Sequence, residues 1–251
     1  MHKALRTLVP LAAAVVPLAV MVTPASAADG TSYQTTLNPL NKSTGSGMAT
    51  VTLSGNSAQV KVSWSGLPAT FSGGAYPHVQ HIHIGAKGQC PTTGLDTNND
   101  GVISTTEGAP AYGAIGTTLS TKGDTSPKSG TDIKIAPGGA SADYSRTIEL
   151  SQDTVDSLKA GTGVVVVHGL DPATLSKRAQ NEKSDLVPSL PLAATSPALC
   201  GTLSSMPSGG VATGTGSTSG VEDTGLLAMG GGMLALGGAL MVSRRRATAK
   251  A

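Results

Sequence analysis

Between residues 48 and 67 the chain alternates apolar and polar side chains in two runs, "MATVTLSG" (Met48 to Gly55) and "SAQVKVSWSGL" (Ser57 to Leu67), around a short Gly-Asn-Ser turn. A period of two puts Val51 and Leu53 on one face, so the pair predicts a β-hairpin with one buried side. Four further short runs predict strands: "HVQHIHIG" from His78, "AIGTTLS" from Ala114, "DYSRTIEL" from Asp143 and "GVVVVHGL" from Gly163. Turn-rich segments separate them. Many short strands with few helical patterns predict an all-β domain, an antiparallel sandwich or barrel. The one good helical stretch is "SQDTVDSLKAG", where Ser151 caps, Val155 and Leu158 follow at helical spacing, and Gly161 ends the run. Residues from Asp171 to Ala198 are polar and Pro-bearing and predict an irregular crossover loop.

Both ends of the 251-residue chain read differently from this middle. Residues 1–27 carry Lys3 and Arg6, an apolar run, and Ala25-Ser26-Ala27 as an A-x-A cleavage signal, which predicts a secretory signal peptide. Residues 205–220 are rich in Gly, Ser and Thr and predict a flexible spacer. From 221 to 251 the chain predicts a cell-surface anchor: an apolar helix over 226–242, then Arg244, Arg245 and Arg246. That run is slightly short for a spanning helix of roughly 20 residues, but the trailing positive cluster is a cytoplasmic stop signal. "VEDTG" at 221–225 resembles the motif ending in Thr-Gly of Gram-positive sortase substrates, without its Leu-Pro start. The resemblance implies cleavage between Thr224 and Gly225; the alternative is a plain membrane anchor. In either case residues 28–204 form one domain outside the cell, with the cell envelope or membrane as partner.

Composition removes one class of function. A net charge of +2, no basic patch and 2% aromatic residues argue against nucleic acid binding. The two cysteines, Cys90 and Cys200, lie in the exported part, where a long-range disulfide is favoured over free thiols. Closing a loop of about 110 residues stabilises by roughly 4 to 5 kcal/mol in the chain-entropy model, an upper figure.

Three of the five histidines fall between His78 and His83. In an extended strand His81 and His83 project to one side and His78 to the other. Two imidazoles at i and i+2 are half of a metal site, and His168, ending a run of four valines, is the candidate third ligand. An unpaired buried ring nitrogen costs about 1 to 3 kcal/mol, which a shared metal would relieve. The alternative is two exposed strand histidines and a His168 bonded to a loop carbonyl.

"DTNNDGVISTTE", Asp96 to Glu107, fills the slots of an EF-hand calcium loop. Oxygen ligands would come from Asp96, Asn98, Asp100, the Val102 carbonyl, Ser104 and a bidentate Glu107, with Gly101 permitting the bend. No helix is evident before the loop and Pro110 opposes a long one after it, so a structural calcium clip is expected rather than a sensor. An Asp/Asn/Gly surface turn is the alternative.

"HIHIG", Cys90, "VVVVHG" and "ALCGTL" resemble, in that order, the landmarks of copper/zinc superoxide dismutases. The resemblance implies a Greek-key sandwich with copper on His81, His83 and His168 and a bond between Cys90 and Cys200. It departs at two points. No histidine lies between His83 and His168 to bridge two metals, and Pro197 stands where that family has its catalytic arginine. "HIHIG" and "GVVVVHG" also resemble the CHRD domain, a secreted β-domain, which requires neither group. Two functions are therefore expected: a surface binding or structural module that binds calcium and copper or zinc, or a copper-dependent redox enzyme acting on superoxide.

Overall fold

The computed structural model describes residues 30–207. The predicted signal peptide, the spacer beyond residue 207, the apolar run and the Thr224–Gly225 junction lie outside the described residues. Among the described residues no helix is long and apolar enough to cross a membrane.

Eleven strands follow the order β1 (Thr31–Pro39), β2 (Ser46–Ser54), β3 (Ser57–Ser65), β4 (Thr70–Phe71), β5 (Gly74–Ala75), β6 (Gln80–Ile84), β7 (Ala114–Thr118), β8 (Ser141–Glu149), β9 (Val164–His168), β10 (Pro197–Thr202) and β11 (Ser204–Ser205). Four short helices intervene: α1 (Thr105–Tyr112), α2 (Gln152–Lys159), α3 (Lys177–Asn181) and α4 (Leu192–Thr195). The chain is thus mainly antiparallel β, as its alternating pattern predicts. β4 and β5 form a separate small hairpin. The other strands are joined in the order β7-β6-β9-β10-β1-β2-β3-β8, with β11 beside β1. The two halves of this path meet through only two residue pairs, Asn38 with Cys200 and Pro39 with Leu199.

Both halves feed one core. Val51, Val60 and Val62 from β2 and β3 pack in the same cluster as Ile82, Val165, Val167 and Leu199 from β6, β9 and β10. A buried polar link crosses it: the Trp64 indole N–H donates to the Gln80 side chain (3.2 Å), whose amide donates to the Leu119 carbonyl (3.3 Å). Satisfying both partners is what permits Gln80 to sit there. At the outer edges, Arg146 of β8 donates to the Ser120 carbonyl (2.6 Å) and hydroxyl (2.8 Å) and to the Gly123 carbonyl (3.2 Å). One guanidinium thereby connects the edge strand β8 to the turn that follows the opposite edge strand β7.

The hairpin falls where the alternation puts it, with Ser54 paired to Ser57 across Gly55 and Asn56. Gly55 has φ of 60°, the left-handed conformation that a two-residue hairpin turn requires. α2 begins after Ser151, whose hydroxyl accepts from the Thr154 N–H, as predicted. Three elements differ from expectation. β1 escapes the alternation because Tyr33 and Leu37, four apart, are its only buried side chains. The 171–198 segment holds α3 and α4, and its last residues begin β10. α1 also runs through Pro110 before stopping at Gly113; eight residues lose little to one missing N–H.

Cys90 and Cys200 are bonded, with Cα atoms 5.8 Å apart across 110 residues of sequence. The bond pins the segment leading to α1 onto β10. Replacing both cysteines by serine is expected to lower unfolding free energy by about 2 to 5 kcal/mol. Urea titration of parent and variant, monitored by Trp64 fluorescence, measures it.

Candidate metal centre

The four valines of β9 are all buried because the strand is covered on both faces. Val165 and Val167 point into the main core, while Val164 and Val166 join Tyr112 and Cys200 in a second cluster on the other side. β6 pairs with β9 so that His81 lies opposite Val166 and His83 opposite Val164. Directly paired residues share a face, so His81, His83, Val164, Val166 and His168 all project to the second side. His81 and His83 are therefore not exposed strand residues; they are 3% and 2% exposed, and His168 is 3% exposed.

The ring centroids lie 5.4 Å (His81 to His83), 5.2 Å (His81 to His168) and 6.0 Å (His83 to His168) apart. One nitrogen of each ring faces a backbone carbonyl: His81 Nε2 with Gly130 (2.9 Å), His83 Nδ1 with Gly113 (2.9 Å) and His168 Nδ1 with Thr195 (2.6 Å). A carbonyl only accepts, so these nitrogens carry the protons and the opposite nitrogens present bare lone pairs. Those lone-pair atoms, His81 Nδ1, His83 Nε2 and His168 Nε2, are buried without a partner; the Tyr144 hydroxyl is the other such atom among the described residues. The trio's ligand atoms all lie within 4.8 Å of one another, and among the described residues they form the one such group of His, Cys, Asp or Glu side chains.

Three converging lone pairs backed by three N–H to carbonyl bonds are the arrangement by which proteins orient imidazole ligands. Burial is the leading cause that lowers each ring's pKa, well below the ordinary value for His81, to about 3 for His83 and to about 4 for His168. For His81 and His83 the neighbouring imidazoles add to it. All three rings are neutral at physiological pH, the form that binds metal. A neutral three-imidazole set suits zinc or copper and leaves a further coordination position open.

The supports come from three separate segments. Gly113 ends α1, Gly130 follows a turn at Pro127–Ser129, and Thr195 closes α4, where its hydroxyl pairs with Ser184 (2.6 Å). Gly113 has φ of 93°, and a Cβ there would collide with the Ile84 carbonyl, so only glycine puts this carbonyl against His83. Backbone carbonyls leave no mark in a sequence, which is why this outer set was not predictable. His78 stays out of the site: its nitrogens face the carbonyls of His168 (2.8 Å) and Pro68 (3.0 Å), so it steadies the His168 backbone.

Asp96, Asn98, Asp100, Val102, Ser104 and Glu107 occupy a tightly wound loop that leads into α1. Asp96 accepts from the N–H groups of Asp100 (3.2 Å) and Gly101 (2.9 Å), and Asp100 accepts from Val102 (2.6 Å). Glu107 accepts from Thr97 (2.8 Å) and Ser104 (3.0 Å), the latter completing a capping box on α1. These donors hold its carboxyl below the usual range, although burial opposes them. The Asp96, Asp100 and Glu107 carboxylates do not converge as the histidines do. Asn41, which the sequence did not single out, clips the loop down: its amide donates to the carbonyls of Ile103 (2.9 Å) and Pro197 (3.0 Å).

Over the trio lies a cavity of about 430 Å³ whose wall includes all three histidines and no Lys, Arg, Asp or Glu.

Without metal, the histidines set a pH dependence. The unfolded rings titrate near 6.5, whereas His168 and His83 titrate at about 4 and 3 when folded. The unfolded chain binds more protons throughout that interval, so stability is present above pH 6.5 and falls as pH drops toward 4. Thermal unfolding of chelator-treated protein between pH 7 and 4 measures the fall, which His168→Gln is expected to lessen.

No protein-family model matches the chain, and no curated protein matches it.

Proposed function

We propose that this chain is an exported cell-surface module, a Greek-key β-sandwich of CHRD or superoxide dismutase-like type, that binds copper or zinc on His81, His83 and His168. The observation that carries the reading is the convergence of three buried, unpartnered imidazole nitrogens whose opposite nitrogens are each fixed by a carbonyl. Leaving three acceptors unmatched costs about 1 to 3 kcal/mol each, and one cation relieves all of them. The Cys90–Cys200 bond supports export to an oxidising compartment. A binding or structural role is preferred over superoxide turnover. Superoxide is an anion drawn by positive charge, and no Lys or Arg lines the cavity above the trio.

When bound, the ion supplies a Lewis-acidic centre with an open position. The chain's own contribution is orientation: Gly113, Gly130 and Thr195 fix the ring tautomers, and the cavity wall adds no charged side chain. Purified full-length chain loaded with copper is expected to retain one ion, lost in the variant His81→Ala, His83→Ala, His168→Ala. Metal analysis reads the stoichiometry. A superoxide assay on the loaded protein decides the alternative: turnover dependent on these histidines makes it a dismutase-like enzyme, and none leaves a metal-binding module.

Calcium is the second proposed cation, held by Asp96, Asn98, Asp100, the Val102 carbonyl, Ser104 and Glu107. The support is the complete set of oxygen donors and the left-handed turn at Asn99 (φ of 58°) and Gly101 (φ of 91°). At about one hundred times its dissociation constant calcium would add roughly 2.7 kcal/mol of stability. Thermal melts with calcium and with chelator are expected to differ accordingly in the parent and to coincide in Glu107→Gln. Coincident melts in the parent would reduce the loop to a surface turn.

A further inference from the structure

We propose that the cavity above His81, His83 and His168 binds a largely apolar small molecule that reaches the metal through a single donor atom. This rests on the metal-binding reading and adds the class of molecule the site accepts.

The volume, about 430 Å³, falls within the range of roughly 300 to 1,000 Å³ typical of small-molecule sites. Its wall is built from Ile115, Val187, Leu190 and the rings of Tyr76 and Tyr112, with the histidines among the lining side chains. No charged side chain lines it. An anionic group entering it finds no cationic side chain and only the ion itself as counter-charge, and a cationic group is repelled by that ion while the neighbouring Asp185 carboxylate is taken up by the N–H and hydroxyl of Thr106.

Apart from that of the exposed Thr131, the wall's hydroxyls are also engaged elsewhere. Tyr76 donates to the Ala193 carbonyl (3.3 Å), Tyr112 to the Thr105 carbonyl (2.8 Å) and Thr105 to the Thr195 carbonyl (2.6 Å). Thr106 donates to Asp185, and Thr195 pairs with Ser184. The histidine N–H groups are likewise committed to carbonyls. A ligand's polar atom therefore has one strong attractor, the ion held by the trio, while the rest of the molecule meets hydrocarbon and aromatic surface. The entrance continues the pattern. Ile133 and Leu186, 50% and 45% exposed, belong to this wall and are two of the three exposed large hydrophobics among the described residues. Apolar side chains left in water beside an apolar cavity gain by contact with an apolar ligand.

The test uses copper-loaded full-length chain, its copper content fixed first by metal analysis, titrated with pyridine, 4-phenylpyridine and azide and followed by the copper visible spectrum. All three probes offer a nitrogen donor; only 4-phenylpyridine adds an apolar ring. It is expected to bind at least about tenfold more tightly than pyridine, from burial of that ring. Azide is expected to bind more weakly than 4-phenylpyridine. Val187→Asp and Leu190→Asp, each at a half-buried loop position outside the set of three ligand histidines, are expected to abolish the phenyl advantage with copper content unchanged. Equal affinity for pyridine and 4-phenylpyridine in the parent overturns the proposal, as does an advantage that survives in both variants. Absence of bound copper overturns the metal reading with it, whereas bound copper without a phenyl advantage overturns the cavity assignment alone.

Discussion

The antiparallel pairing of β6 with β9 sets His81 opposite Val166 and His83 opposite Val164, and sends all four side chains to the face turned away from the main core. His168 joins them because it stands two residues beyond Val166 on the same strand. A shift of this register by one residue would turn His168, Val166 and Val164 into the core and bring Val165 and Val167 out beside His81 and His83. The trio exists because Ile82, Val165 and Val167 are apolar enough to fix which face goes in.

A sheet face that carries valines and histidines has to be covered, and the cover is made of connecting segments that include α1 and α4. Gly113, Gly130 and Thr195 arrive from three connections and each ends on an imidazole N–H. The same bonds give the Gly113 and Gly130 carbonyls a donor, while the Thr195 carbonyl accepts from Thr105 as well as from His168. Covering the sheet and orienting the rings are therefore one act. The Cys90–Cys200 bond and the Asn41 amide hold the first of these connections in place at Cys90 and at Ile103.

The hairpin, the four later strands and α2 were legible because each has a dense local pattern: alternation, a valine run, or a cap followed by apolar residues at helical spacing. The two cysteines and the three histidines were legible as types; the exported context and the resemblance implied the disulfide, while strand alternation put His81 and His83 on one side and left their convergence with His168 open. β1 was not, since only Tyr33 and Leu37 mark its buried side. α3 and α4 were hidden in a polar, Pro-bearing segment whose short helices are fixed by tertiary contacts rather than propensity. The cavity was invisible for a related reason. Its wall combines Tyr76, Ile115, Val187 and Leu190, which share no local pattern and meet only after the loops have closed.

The order of residues along the chain gives the disulfide a temporal meaning. Cys200 sits on the last long strand, and its partner precedes α1, so the bond cannot form until nearly the whole domain has been synthesised. The carbonyl of Thr195 that orients His168 belongs to the same late segment. Contacts this distant in sequence form slowly, because loop closure precedes their reward. A chain stopped short of α4 would carry all three histidines with the last of them unsupported, so the centre is a product of nearly completed synthesis.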